Sequence, residues 1–206
     1  RKILMSQVSQ QLNAIDVSPF PKLVWKFKYN FPYETLTSLI SELTSQTPNN
    51  SVLETGAAFS TASAPQDPPH TWPELHDFRQ WIGDPLDLLW QHNNFDKHRG
   101  STVTNSWINT HKKGGATLEH NHNFSLFVVT AYLKLPKEGG FIEFRDPLEY
   151  HKANTPITPE EELWKAVPCE TNDVLIFPGW LKHRVQESKS DEERIVMTMN
   201  IGPGNG

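Results

Sequence analysis

At 206 residues the chain is long enough to bury one substantial core, and a single domain spanning 1–206 is expected. A formal charge of -5, a pI near 6.0 and no Lys/Arg block argue against a nucleic-acid footprint built on charge. A mean hydropathy of -0.55, with no apolar run approaching membrane thickness, argues against a spanning helix. The first residues Arg1-Lys2-Ile3-Leu4-Met5 are basic, but Ser6-Gln7 interrupt them, so no secretory leader is expected there. One cysteine, Cys169, permits no internal disulfide, which suits a reducing cytoplasm.

The N-terminal hundred residues read as mixed strands and helices packing on a core. Val24 to Tyr29 alternates like a strand, and Leu36, Leu39, Ile40 and Leu43 recur at helical spacing over Tyr33 to Leu43. Ser51 to Phe59 reads as another strand and Pro65 to Pro69 as a loop. A helix is expected over Glu74 to Ile82, with Pro73 in its first turn, and a second from Asp84-Pro85 to about Asn93.

From Thr102 the pattern turns to short strands: Val103–Asn109, a long β-rich run from Phe124 to Leu135, Phe141–Phe144, Val174–Phe177, His183–Gln186 and Arg194–Ile201. Turns are expected at Lys113-Gly114-Gly115, Pro136–Gly140 and Pro178-Gly179, and a helical turn around Glu160–Leu163. Helices followed by closely spaced strands predict an α+β protein whose body, residues 101–206, is a jelly roll.

Two stretches carry chemistry. In Glu119-His120-Asn121-His122 the imidazoles are two apart, so a strand through them would aim both into one space and turn Glu119 away. Nine histidines in this length give about 0.4 such pairs by chance, so the pair alone decides nothing. His183 adds a third imidazole after a strand and a Pro-Gly turn. Arg194 then leads an alternating run: Arg194, Val196, Thr198 and Asn200 on one face, Ile195, Met197, Met199 and Ile201 on the other. A cation heading the mixed face opposite an apolar one predicts an inward arginine, whose planar fork suits a carboxylate. Trp107, Phe177 and Trp180 are candidate walls of the site. Cys169 reads as a small buried hydrophobe, and His70, His76, His92, His98, His111 and His151 as solvent or core residues.

These segments, with Trp107-Ile108-Asn109, Tyr132–Pro136, Phe144–Pro147 and Asp173–His183, resemble the Fe(II)/2-oxoglutarate-dependent oxygenases. Within that superfamily they look nearest to the prolyl-4-hydroxylase-like oxygenases of marine bacteria and cyanophages. The resemblance covers most of residues 103–201. It implies a double-stranded β-helix (cupin-like jelly roll) with N-terminal supporting helices, and iron held by His120 and His183. It also implies that Arg194 receives the far carboxylate of 2-oxoglutarate, helped by Tyr132, Asn109 or Thr198. The activity implied is hydroxylation of an unactivated C–H bond in a peptide residue or small molecule, with O2 consumed and succinate and CO2 released. No catalytic side chain beyond the metal centre is implied, and the setting would be the cytoplasm of a bacterium or phage-infected host.

The superfamily pattern has Asp or Glu where this chain has His122. Three ligand sets are open: His122 as third ligand, two histidines alone, or a carboxylate from elsewhere, with Glu119, Glu143 and Asp146 as candidates. Three histidines are favoured, because neutral imidazole suits Fe(II). Val128–Ala131 also departs from the small residues associated with the family at that strand. Two other functions compete: a cupin-like three-histidine metalloenzyme without 2-oxoglutarate, which leaves Arg194 unexplained, and a non-enzymatic jelly-roll binding module.

Overall fold

Strand β11 (Arg194–Pro203) is the spine of the computed structural model, which describes residues 22–64, 68–96, 99–149 and 163–204. It pairs antiparallel with β4 (Ser101–His111) on one side and β6 (Phe127–Lys134) on the other. Outward from β6 lie β9 (Asp173–Pro178) and β1 (Trp25–Lys28), and outward from β4 lies β3 (Ala58–Ser60), giving a six-stranded sheet. The second sheet has five strands in the order β2 (Glu54–Thr55), β5 (Ala116–His120), β10 (His183–Val185), β7 (Ile142–Arg145), β8 (Trp164–Val167). All the pairings are antiparallel, so the architecture is the expected jelly roll.

The period-two pattern of β11 sorts its two faces. Ile195, Met197, Met199 and Ile201, each at most 6% exposed, pack with Leu36 and Ile40 of α1 (Tyr33–Gln46). The same core takes in Phe78 of α2 (His76–Trp81) and Leu86 and Leu89 of α3 (Gly83–His92). Each such side chain contributes roughly 1.5–3 kcal/mol when removed from water, which clamps the helices on the outer face of the larger sheet. The inner face mixes apolar residues that pack on the smaller sheet, Val128, Leu175, Phe177 and Val196, with polar ones such as Arg194 and Thr198.

Some elements differ from expectation. Ser51 to Phe59 forms two strands, not one, and they join different sheets. Gly56, at φ +61, makes the turn between them, and a Cβ there would collide with the Gly114 carbonyl oxygen. This crossover carries β2 to the edge of the smaller sheet. The helix expected from Glu74 begins as a 3-10 turn at Pro73–Leu75 and becomes α-helical at His76. Strand β8 was not expected: four residues, with only Trp164 buried, hold too short a pattern to read. Residues 65–67, residues 160–162 of the expected helical turn, His98 and His151 lie outside the described residues. Among the described residues no helix is long and apolar enough to cross a membrane.

Candidate metal centre

The three histidines meet because β5 is irregular. His183 of β10 faces His120, but Val185 faces Thr117, so three residues of β10 stand against four of β5. Such a bulge re-aims side chains: Thr117 and His120 both line the cavity between the sheets, while Glu119 turns out to Arg145 and Lys182. The expectation that one strand carries both histidines is corrected here, since β5 ends at His120 and His122 lies beyond it.

What brings His122 in is the Pro178-Gly179 turn. The His122 N–H donates to the Gly179 carbonyl at 2.8 Å, and the Gly179 N–H donates to Leu126 O at 3.1 Å. The backbones approach so closely that a Cβ at residue 179 would collide with Ser125 O and lie 2.8 Å from His122 O. Only glycine permits this contact. Trp107 of β4 then stacks on the His122 ring, centroids 5.6 Å apart and planes 14° from parallel.

Each ring is held by its Nδ1. His120 Nδ1 lies 2.8 Å from Leu118 O, His183 Nδ1 2.9 Å from Leu181 O, and His122 Nδ1 2.7 Å from Asn200 Oδ1. The two backbone carbonyls can only accept, so Nδ1 carries the proton and the Nε2 lone pair is free; the Asn200 amide oxygen does the same for His122. Ligand atoms of all three lie within 4.8 Å of one another, and His122 Nε2 is 3.3 Å from His183 Nε2. Nitrogens bound to one metal at right angles stand about 3 Å apart, so this pair is at ligating separation. Burial keeps the rings neutral: it holds His120 below the ordinary histidine pKa, His122 at about 4, and His183 well below, where the neighbouring imidazoles add to the effect. Neutral, converging, pre-oriented imidazoles form a donor set that fits a divalent metal such as Fe(II).

The far end of the same cavity holds Arg194, 2% exposed, with its Nε unpaired. Asn109 and Thr198 line the cavity and are joined by an Asn109 Nδ2 to Thr198 Oγ1 bond of 3.3 Å. Tyr132 is fully buried and lies off the cavity wall, with Arg194 Cζ 5.4 Å from its ring centroid. Asn109 Oδ1, Thr130 Oγ1 and the Tyr132 hydroxyl are also buried without partners. Buried polar groups are nearly always satisfied. A buried guanidinium with an unpaired Nε, on the same cavity wall as the unpaired Thr130 hydroxyl, suits an anionic ligand such as a carboxylate.

Other candidates fall elsewhere. Phe177 is fully buried and meets His183 edge-on with centroids 4.9 Å apart, but Trp180 is 54% exposed and does not line the cavity. Glu143 pairs with Arg184 at 2.7 Å and Gln186 at 2.9 Å, and like Asp146 it lies off the cavity wall. Cys169 is buried and free. His111 is fully buried beside Glu54 and Thr117, and His70 bonds Ser106 at 2.8 Å. The cavity carboxylate overlooked in the sequence is Glu54, which had no motif around it.

Residues 105–200 match the family model described as "Putative 2OG-Fe(II) oxygenase". No curated protein matches the chain by sequence. Among solved structures, a Pseudomonas putida prolyl-4-hydroxylase is similar at 12% identity and TM-score 0.56, over 89% of this chain and 93% of that one. A viral collagen prolyl hydroxylase from Paramecium Bursaria Chlorella virus-1, in its 2-oxoglutarate complex, is similar at 16% identity and TM-score 0.56, over 89% and 97%. HygX from Streptomyces hygroscopicus, solved with nickel, 2-oxoglutarate and hygromycin B, is similar at 15% identity and TM-score 0.55, over 87% and 82%. At these identities the structural likenesses are likenesses of fold.

Proposed function

We propose that the chain, whose residues 105–200 match the 2OG-Fe(II) oxygenase family model, is a hydroxylase whose iron is held by His120, His122 and His183 and whose 2-oxoglutarate is anchored by Arg194. Bound iron, with 2-oxoglutarate and O2, supplies the oxidation of an unactivated C–H bond, with succinate and CO2 as co-products. The protein's share is orientation. Leu118 O, Leu181 O and Asn200 hold the imidazoles with Nε2 inward; Arg194 and Thr198 take the distal carboxylate, Asn109 Nδ2 donates to Thr198, and Tyr132 backs Arg194 from outside the cavity. Trp107 and Phe177 shield the rings from water, and the whole chain acts as one oxygenase domain. The substrate is a peptide residue or a small molecule, and the single buried thiol suits a reducing, cytoplasmic setting.

The observation that carries this reading is one cavity of about 320 Å³ with three imidazoles at one end and an unpaired buried guanidinium at the other. A three-histidine cupin chemistry without a 2-oxo acid accounts for the first feature but leaves the second idle. Anaerobic addition of Fe(II) and 2-oxoglutarate tests it. The weak visible charge-transfer band of a metal-chelated 2-oxo acid is expected, followed in air by succinate release. Iron binding without that band would reject the assignment in favour of the cupin-like chemistry.

A further inference from the structure

The cavity contains a second buried charge that the oxygenase reading does not use. Among the described residues Glu54, at the start of β2, is the only carboxylate lining it, and its side chain is 4% exposed. Arg194 is the only Lys or Arg among the described lining residues, yet the two make no ion pair with each other. Opposite charges buried in one chamber and kept apart are each open to a ligand. Arg194 is matched by the dicarboxylate, which leaves Glu54.

Glu54 is held by one oxygen only. Oε2 accepts from Thr117 Oγ1 at 2.9 Å and from His111 Nε2 at 3.1 Å, while Oε1 has no partner among the described residues. His111 is fully buried, and burial lowers its pKa, with Arg194 acting in the same direction. Its Nδ1 is unpaired, as an acceptor nitrogen facing no donor would be. His111 thus meets the carboxylate through Nε2 alone, at one oxygen. Two contacts on one oxygen fix the side chain and leave the other oxygen open to the cavity.

We propose that Glu54 is the specificity-determining residue of this cavity and that it receives a protonated primary amine of the substrate. This rests on the oxygenase reading of the same site. A guanidinium prefers both oxygens of a carboxylate, and Oε2 is already taken; an ammonium is a compact charge that a single oxygen can seat. Space points the same way, because the substrate group shares a cavity of about 320 Å³ with 2-oxoglutarate. Ser51 and Ser60 also line the cavity and offer hydroxyl oxygens to the remaining ammonium protons. Glu54 lies outside the matched segment 105–200, so this selectivity belongs to the chain's own N-terminal part.

The test uses butylamine and its neutral isostere 1-butanol as probes. Binding is measured by ligand-observed NMR on the full chain, both ligand-free and loaded with redox-inert Zn(II) and 2-oxoglutarate. Butylamine is expected to bind about tenfold or more tightly than butanol, as a charge-assisted hydrogen bond implies. Glu54→Gln, which keeps an acceptor for Thr117 and His111, should erase that preference while leaving butanol affinity, 2-oxoglutarate binding and the melting temperature unchanged. Equal affinities in the wild type, a preference surviving in Glu54→Gln, or no binding of either probe at millimolar concentration would overturn the proposal. If 2-oxoglutarate fails to bind, the oxygenase reading falls, whereas the amine preference of the ligand-free protein still decides the role of Glu54.

Discussion

Replacing Arg194 by methionine separates a ligand-binding arginine from a structural one, because the two roles predict opposite signs for stability. The side chain is 2% exposed, its Nε has no partner, and it makes no ion pair among the described residues. In the ligand-free protein its charge is thus a cost, and an unbranched apolar side chain of similar length fills the space without it. Ligand-free Arg194→Met should match the wild type or gain about 1 kcal/mol, which in a domain this size raises Tm by roughly 2–4 °C. Binding should move the other way. Removing one partner of a desolvated charge pair costs about 2–4 kcal/mol, or roughly thirty- to a thousandfold in affinity. Anaerobic titration of the Fe(II)-loaded protein with 2-oxoglutarate, followed by the charge-transfer band, measures the second quantity, and calorimetric unfolding without ligand measures the first. Iron content should stay unchanged. Unaltered 2-oxoglutarate affinity, or a ligand-free variant that melts well below the wild type, would refute the reasoning.

Further outcomes follow from the geometry around the metal centre. Asn200→Ala removes the acceptor of His122 Nδ1 at 2.7 Å, and metal affinity should drop about ten- to a hundredfold, as read by competition with a chromophoric chelator; an unchanged constant would show that the ring needs no such support. His122→Ala should lose most of its iron and His122→Asp should retain it; full iron retention in the alanine variant would remove His122 from the ligand set. Gly179→Ala forces a Cβ against Ser125 O and His122 O, so metal binding should weaken with the secondary structure intact by circular dichroism. The pH dependence has a definite sign. The imidazoles titrate near 6.5 when unfolded, and His122 near 4 when folded. As pH falls between these values only the unfolded chain gains the proton, so stability of the metal-free protein should decline, with the loss from His122 complete below about 4. A flat unfolding free energy across that window would show that the rings are not buried in neutral form.

Much of the site was legible because strand periodicity is local. Arg194, Val196, Thr198 and Asn200 share a face in the sequence and line the cavity in the fold, with Ile195, Met197, Met199 and Ile201 turned to the helices. The histidine pair was legible for a partly wrong reason. Parity along one strand was expected to co-orient His120 and His122, whereas a bulge between Thr117 and His120 and the Gly179 contact achieve it. Bulges depend on how a partner strand pairs, and nothing in Thr117-Leu118-Glu119 announces one. Trp180 was expected as an aromatic wall of the site, but the turn places it 54% exposed.

By itself the sequence determined the residue types and the alternation: three imidazoles, a leading arginine, and strands whose two faces differ in polarity. These depend on side-chain chemistry and a two-residue repeat. Only the tertiary structure decided distance and enclosure. It brought His122 Nε2 to 3.3 Å from His183 Nε2 across sixty-one residues, left Arg194 without a counter-ion among the described residues, and carried Glu54 from the edge of the smaller sheet into the same chamber. Whether a polar group is satisfied, and at what cost, is set by neighbours distant in the chain, so it is fixed only when the two sheets close on each other.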